Sequence, residues 1–298
     1  MSLQNNYLGI SKDIYIEQFQ VAGVSLYNVV KRINTLKDFP LKNEFLNCGG
    51  VDFDKNKAEQ KATSEVYERY AMSLKSIPSY INISFGNINE NEIKNRSINN
   101  TIYNRNKIKW IESETILKNK KVLLPEEFIN FKVEAPSGLF EINSNGFSCH
   151  TNKENSTISG LLEVIERHVV LNSWISDLNI YNIPELLLDS WCNNIISFLK
   201  KEGWLISVNF INNKLKVPTV WFLGCNRKDS KVMFGAKSSY NLEKALEGAF
   251  FEFIANFNNE KKFSIEIITE ISNKIKIFNA ANFITFDFYN KNIRKIFL

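Results

Sequence analysis

The stretch EVYERY at residues 65–70 returns almost letter for letter as EVIERH at residues 163–168. Glu, Glu and Arg at positions i, i+3 and i+4 are neighbours on one face of a helix. Two readings fit that spacing. Either a solvated helix edge is laced by ion pairs, or two helices bring the same charged face to one site. The residues around each copy bear on the choice. In the second copy Ile158, Leu161, Leu162, Ile165 and Val169 keep the spacing of a buried helical face, and Val164 and Val170 carry the apolar surface further round. A helix apolar over most of its circumference is expected to be buried. Glu163, Glu166 and Arg167 are then expected to face an internal polar cavity or a narrow opening. In the first copy Ala62, Val66, Tyr70 and Leu74 form one stripe, with Glu65, Glu68, Arg69 and Lys61 on the other side, the pattern of an amphipathic surface helix.

A third helix carries a related feature. In AFFEFIANF (249–257), Glu252 interrupts an otherwise apolar run. An unpaired carboxylate among buried groups costs several kcal/mol or takes up a proton. A divalent cation removes that cost. Glu65, Glu68, Glu163, Glu166 and Glu252 offer oxygen donors of the kind Mg²⁺ takes, and Mg²⁺ commonly comes with phosphates. Arg69 and Arg167 have the planar donors that match phosphate oxygens. The residues therefore point to a metal–polyphosphate site between helices, with a structural ion-pair network as the competing explanation.

Composition narrows the field. A chain of 298 residues, 44% hydrophobic and 23% charged, is an ordinary globular protein with enough length for a substantial core. Its net charge of +5 is spread out and no nucleic-acid recognition motif is present, so no nucleic-acid partner is expected. No basic stretch leads into an apolar core at the N-terminus, and no apolar run approaches the ~20 residues that span a membrane. A cytoplasmic protein is expected. Cys48, Cys149, Cys192 and Cys225 are isolated, and His150 and His168 are the only histidines, which argues against disulfide frameworks, zinc and multi-histidine sites. Cys149 and His150 are not expected to act as a dyad, because neighbours in an extended segment point opposite ways. There is no Walker loop, no G-x-G-x-x-G and no kinase-like H-R-D.

Periodicity predicts helices over 54–76, capped by Asp52 or Asp54, over 155–175, over 185–202 with Gly203 as the stop, and over 241–257. Strands are predicted over 204–211, 214–224 and 231–238, the first two joined by an Asn212–Asn213 hairpin. Residues 86–109 read as an Asn-rich polar loop, 263–279 as helix or strand, and FITFDF as a strand. The fold class is α+β, with helices packed on mixed or antiparallel sheet. The likeness of the Glu65, Glu163 and Glu252 helices suggests an old duplication.

Three segments together resemble the YcaO family, ATP-dependent enzymes that activate peptide-backbone amides. GGVDFDKNKAEQKATSEVYERYA (49–71), NSNGFSCHTNKENSTISGLLEVIERHVV (143–170) and FGAKSSYNLEKALEGAFFEFIAN (234–256) follow that family's ATP-site segments in order and approximate spacing. The first of them runs, in the family, from a Gly-rich turn into a helix. The resemblance implies a single YcaO-like domain over 1–298, strongest over 20–257 and divergent over 258–298, with an ATP site between three helices. By resemblance Glu65, Glu68, Glu163, Glu166 and Glu252 help hold Mg²⁺. Arg167, Ser64 and Asn145 fall at cofactor-binding positions. Arg69 either joins them or pairs with a neighbouring glutamate. The chain departs from the family pattern at several points. Gly49–Gly50–Val51 stands where a lysine is common, His150–Thr151 where Gly-Asn is usual, Asn155 in place of a Glu, His168 in place of an Asp, and Gly248 in place of an arginine.

The implied chemistry is ATP- and Mg²⁺-dependent cyclodehydration, which makes azolines in a ribosomally made, modified peptide of bacteriocin type. Thioamide or amidine formation is a variant within the family. The implied partners are the precursor peptide, a leader-binding protein and a flavin-dependent dehydrogenase, and a homodimer is one implied assembly. The alternative is a degenerate member acting as a binding or scaffold subunit, which Gly248, Asn155 and the missing lysine motivate.

Overall fold

The computed structural model describes residues 10–34, 47–73, 80–81, 109–116, 121–130, 143–176, 180–256, 269, 271–273 and 275. Of the predicted polar loop over 86–109 only Lys109 is described, as the first residue of a strand; the end of the first helix and the FITFDF strand lie outside the described residues. Of 263–279, the described residues are helical. The chain divides into two compact units. One comprises residues 1–13, 31–48 and 63–149, the other 14–30, 49–62 and 150–298.

Along the chain, β1 (Ser11–Val21), β2 (Val24–Ile33) and β3 (Asn47–Asp52) form a three-stranded sheet in the order β1-β2-β3. Helix α1 (Lys55–Ser73) follows. Asp54 is its cap: the carboxylate accepts the Lys57 backbone N–H at 3.0 Å. Positive φ at Ala22 and Gly23 closes the β1–β2 hairpin through a two-residue turn. The sequence reading had assigned neither strand, since β1 alternates without a strongly apolar face.

In the first unit, β4 (Tyr80–Ile81), β5 (Lys109–Glu114) and β6 (Lys121–Pro125) form an antiparallel sheet, with Trp110 opposite Pro125 and Glu114 opposite Lys121. A 3₁₀ turn at Glu126–Phe128 follows. Ile33, Cys48 and Val66 pack together, with Ile10 and Tyr70 against them.

The second unit is built on a four-stranded antiparallel sheet ordered β10-β9-β8-β7, from β7 (Ile180–Asn182), β8 (Leu205–Ile211), β9 (Thr219–Asn226) and β10 (Lys231–Ser238). Side chains alternate across it. Ile206, Val208, Phe210, Val220 and Phe222 meet α3 (Ser190–Lys201) and α4 (Leu242–Ala255). Trp221, Leu223 and Cys225 meet Val169, Ile165 and Trp174 of α2 (Lys153–Ser176). Both faces are covered, so every residue of β9 is buried.

Two expectations change. Helix α3 begins at Ser190 rather than 185, after a separate 3₁₀ turn at Glu185–Leu187. The Asn193 amide donates to Glu185 O and Leu188 O at 2.7 and 3.0 Å, which stabilises the break. The β8–β9 connection runs from Asn212 to Pro218 and is no two-residue hairpin. Asn213 shapes it, donating to Val217 O at 2.7 Å, and Pro218, lacking an N–H, precedes the strand.

Helix α2 also differs from its expected all-round burial. Val169 is buried, but Ile158, Leu161, Val164, Leu171 and Ile175 are exposed. Only the face laid on the sheet is covered.

Gly49 and Gly50, expected in a turn, lie in strand β3. A Cβ on Gly50 would stand 2.1 Å from Ala58 O and 2.8 Å from Ala62 N, both backbone atoms of α1, whereas one on Gly49 would meet nothing within 4 Å. Gly50→Ala is therefore expected to destabilise by at least the ~1–3 kcal/mol of an overpacked core, and Gly49→Ala to stay within about 0.5 kcal/mol. Urea midpoints of the two variants measure the contrast.

Candidate functional site

The carboxylates of the repeated helical motif divide between the two units. In the first, Glu65 forms an ion pair with Arg69, whose Nη1 also donates to Asn47 O at 2.8 Å. Arg69 thus takes the second of its two expected roles here, pairing with a glutamate. Ser64 and Glu68 lie on the same helix, both half-buried, and Asn145 is exposed in the turn before Gly146. Burial, then Glu65, raises the Cys48 thiol to about 12, with Glu68 adding to the shift and Arg69 opposing it. Burial and Glu68 also push up the Cys149 thiol. Both thiols stay protonated at neutral pH and are poor nucleophiles.

In the second unit the charged residues converge at strand β10, an edge of the sheet. Glu166, on α2, is only 7% exposed, and its Oε2 accepts the Ser238 backbone N–H at 3.0 Å. Glu252, on α4, lies between the buried Phe251 and Phe253 while its own side chain is half-exposed. Between the two carboxylates stands Lys237, whose Nζ lies 3.3 Å from Glu252 Oε1 and 3.6 Å from Glu166 Oε2. Glu163 pairs with the exposed Arg167 at 3.2 Å. Helix α2 is capped nearby by Asn152, which accepts the Asn155 N–H at 2.8 Å.

Burial raises the Glu166 carboxyl to about 7. Lys237 and the Ser238 N–H oppose the shift, and Glu252 and Glu163 add to it. Burial acts against the Lys237 ammonium, but Glu252 and Glu166 outweigh it and hold the group near 12. The lysine therefore stays charged while Glu166 titrates near neutrality.

Lys237 and Glu252 help line a cavity of about 510 Å³ together with Gly49, Gly50, Lys61 and Gly248, all in the second unit. That is within the usual range for a small-molecule site. Lys61 is held in place by the buried Asp52 at 2.8 Å, by Val51 O at 2.9 Å and by the Phe251 ring at 4.0 Å. A smaller cavity of about 270 Å³, lined by residues such as Ile183, Leu188 and Val208, has no such paired carboxylates. Sequence spacing gives Lys61 only as a neighbour of Glu65 and does not single out Lys237. Their sequence signals are weak, a lysine on a polar helix face and a lysine at a strand end. Gly248 was the available clue. A Cβ there would stand 2.7 Å from Lys237 Cγ, so the glycine leaves room for the lysine stem where the resemblance calls for an arginine.

The family model described as YcaO cyclodehydratase, ATP- and Mg²⁺-binding, matches residues 49–280. The chain belongs to the YcaO family. Its fold is similar to that of YcaO from Methanopyrus kandleri bound with AMPPCP and Mg²⁺, with a TM-score of 0.64, 14% identity, and coverage of 91% of this chain and 70% of that one. It is similar to a chain of the E. coli microcin synthetase McbBCD complex, with a TM-score of 0.62, 13% identity, and coverage of 87% and 73%. A heterocyclase in complex with substrate and cofactor gives a TM-score of 0.61 at 14% identity, covering 83% of this chain and 37% of that one. No curated protein matches by sequence. Among the described residues no helix is long and apolar enough to cross a membrane.

The cofactors of this YcaO chain are ATP and Mg²⁺. Among the described residues no group of three or more His, Cys, Asp or Glu side chains gathers as a ready metal cage. Mg²⁺ rarely uses one. It is typically held by one or two carboxylates, waters and substrate phosphates. The Glu166–Glu252 pair beside a cavity with two lysines is a donor set of that kind, so the residues present fit the group.

Glu166 gives a pH prediction. Its folded value lies above the ordinary 4.5, so the native state holds the proton more tightly than the unfolded chain does. The stability it contributes is complete below about pH 4.5 and is lost as pH rises through about 7. In EDTA, the unfolding free energy of the wild type is expected to fall across this window relative to Glu166→Gln, by no more than about 1.4 kcal/mol per pH unit. Urea titrations at several pH values give the difference.

Proposed function

We propose that this YcaO protein binds Mg·ATP in the cavity of its second unit and uses it to activate a peptide-backbone amide, most simply in azoline-forming cyclodehydration of a ribosomally made peptide. The observation that carries the reading is the Glu166–Lys237–Glu252 cluster beside a cavity that also contains the fixed cation Lys61. Bound Mg·ATP would supply the γ-phosphoryl group: once a Cys, Ser or Thr side chain of the substrate has added to the amide carbon, the former carbonyl oxygen would accept that group, release ADP and depart as phosphate.

The protein's own contribution is charge and position. Glu166 and Glu252 offer carboxylate oxygens to the metal, held in position before substrate arrives. Lys61 is tethered by Asp52 and Val51 and is placed to receive phosphate oxygens without first being ordered. Gly50 lets β3 pack closely against α1, the helix that carries Lys61 to the cavity. Arg167 is exposed and is proposed as a phosphate contact, with Glu163 to orient it. For the first unit, the resemblance by itself implies metal-holding roles for Glu65 and Glu68 and nucleotide contacts for Ser64 and Asn145, with Arg69 paired to Glu65. No thiol of the protein is required, in keeping with the raised Cys149.

Likeness to a chain of the microcin synthetase complex supports work alongside partner proteins; a precursor peptide, a leader-binding protein and a flavin-dependent dehydrogenase are the partners that the family resemblance implies. A cytoplasmic setting suits ATP and a newly made peptide. A second reading, a binding subunit without turnover, is favoured by one observation. Lys237 already neutralises the carboxylates that would take the metal.

Titration calorimetry with ATP tests the main reading. Binding is expected only with Mg²⁺ and is expected to weaken at least tenfold in Glu252→Gln. ATP binding indifferent to both Mg²⁺ and the substitution would remove it. Mg·ATP binding with no phosphate release in the presence of peptide and partner proteins would select the binding subunit.

A further inference from the structure

Edge strand β10 carries its own cation into the carboxylate pair. Lys237 leaves the sheet on the α4 side, and its stem lies on the bare backbone of Gly248. Its ammonium ends between Glu252 of α4 and Glu166 of α2, helices that cover opposite faces of the sheet. Glu163, the remaining nearby carboxylate, is engaged with Arg167. Once Glu166 is ionised, the pair bears two negative charges against one positive, with the positive charge attached covalently.

We infer that Lys237 is a built-in counter-ion that competes with Mg²⁺ for Glu166 and Glu252. This rests on reading the cavity as the Mg·ATP site. An ammonium and a divalent cation claim the same carboxylate oxygens, and two cations a few ångströms apart repel each other. Mg²⁺ alone therefore meets a site whose charge the lysine has already partly neutralised. With the lysine charge removed, the ionised pair is doubly negative and matched to one dication. A nucleotide triphosphate changes the balance in the other direction, because its oxygens add negative charge and give the displaced ammonium acceptors in the same cavity. Lys237 accordingly makes metal uptake depend on nucleotide, and it keeps the two helices tied to the sheet edge when neither is bound. It is a positioning residue acting through the carboxylates.

The probe is MgCl2 alone, added to the full chain without nucleotide and read by calorimetry and thermal unfolding. Wild type is expected to bind Mg²⁺ weakly with little change in Tm. Lys237→Met is expected to bind at least tenfold more tightly, to have a lower Tm in EDTA than wild type, and to recover it as Mg²⁺ is added. Lys237→Arg, which keeps the cation, should behave as wild type, and Glu252→Gln added to Lys237→Met should abolish the gain. Equal Mg²⁺ affinity in wild type and Lys237→Met would overturn the inference. If Lys237→Met does not fold, the Lys237 side-chain NMR signal of the wild type, assigned by its loss in Lys237→Arg, decides the matter. It should be unmoved by Mg²⁺ alone and shift with Mg²⁺ plus AMPPCP. A shift with Mg²⁺ alone, or none with both, overturns the inference. A gain in Lys237→Met without nucleotide binding by either protein would retain the counter-ion and remove the ATP reading.

Discussion

A β-sheet covered on both faces leaves its charged residues only one place to go, its edges. The second unit lives under that constraint. Its four strands are sandwiched between α2 on one side and α3 and α4 on the other, and β9 is buried along its whole length. Antiparallel sheets often keep one wet face, but here neither is available. Polar side chains within the sheet must satisfy each other, as Ser207 does with Asn209 at 2.8 Å. Ionised ones gather at the end of β10, where Lys237 finds carboxylates from both helix layers.

That placement accounts for the electrostatics of the site. Glu166 is buried deeply enough for its carboxyl to be pushed up to about 7, yet a backbone N–H and a lysine keep the ionised form accessible. Glu252, from a more open position, adds negative charge without the same desolvation. The result is a cluster poised between protonation, ion pairing and metal ligation. A polar cluster of this kind is costly to leave incomplete and effective once complete.

The departures from the family pattern acquire a physical sense in this setting. Gly248 is the space into which the Lys237 stem packs. The segment Gly49–Gly50–Val51 lacks a lysine, yet Lys61 from α1 bonds to Val51 O and faces the same cavity. A cation at a site is defined by where its charge arrives, and helices and strands that adjoin in space can deliver it from different sequence positions. Residue-by-residue matching does not see such exchanges.

Much was legible in the sequence because it depends on local spacing. Heptad-like and alternating patterns placed α2, α4, β8 and β10 within a few residues, and Asp54 marked the start of α1. Glu252 was correctly read as a charge flanked by buried groups, since no helix can expose Phe250, Phe251, Phe253 and Ile254 together. The three ordered segments also identified the family. Other features were decided by tertiary structure alone. Apolar spacing suggested that α2 was buried all round, but only contact with the sheet determines which of its apolar residues are covered. The partner of Glu252 is 15 residues away on a strand, and that of Glu166 comes from the strand end 72 residues on. Sequence spacing fixes which side chains share a face of one element. It carries no term for which faces of different elements meet, and the charge balance of this site is set there.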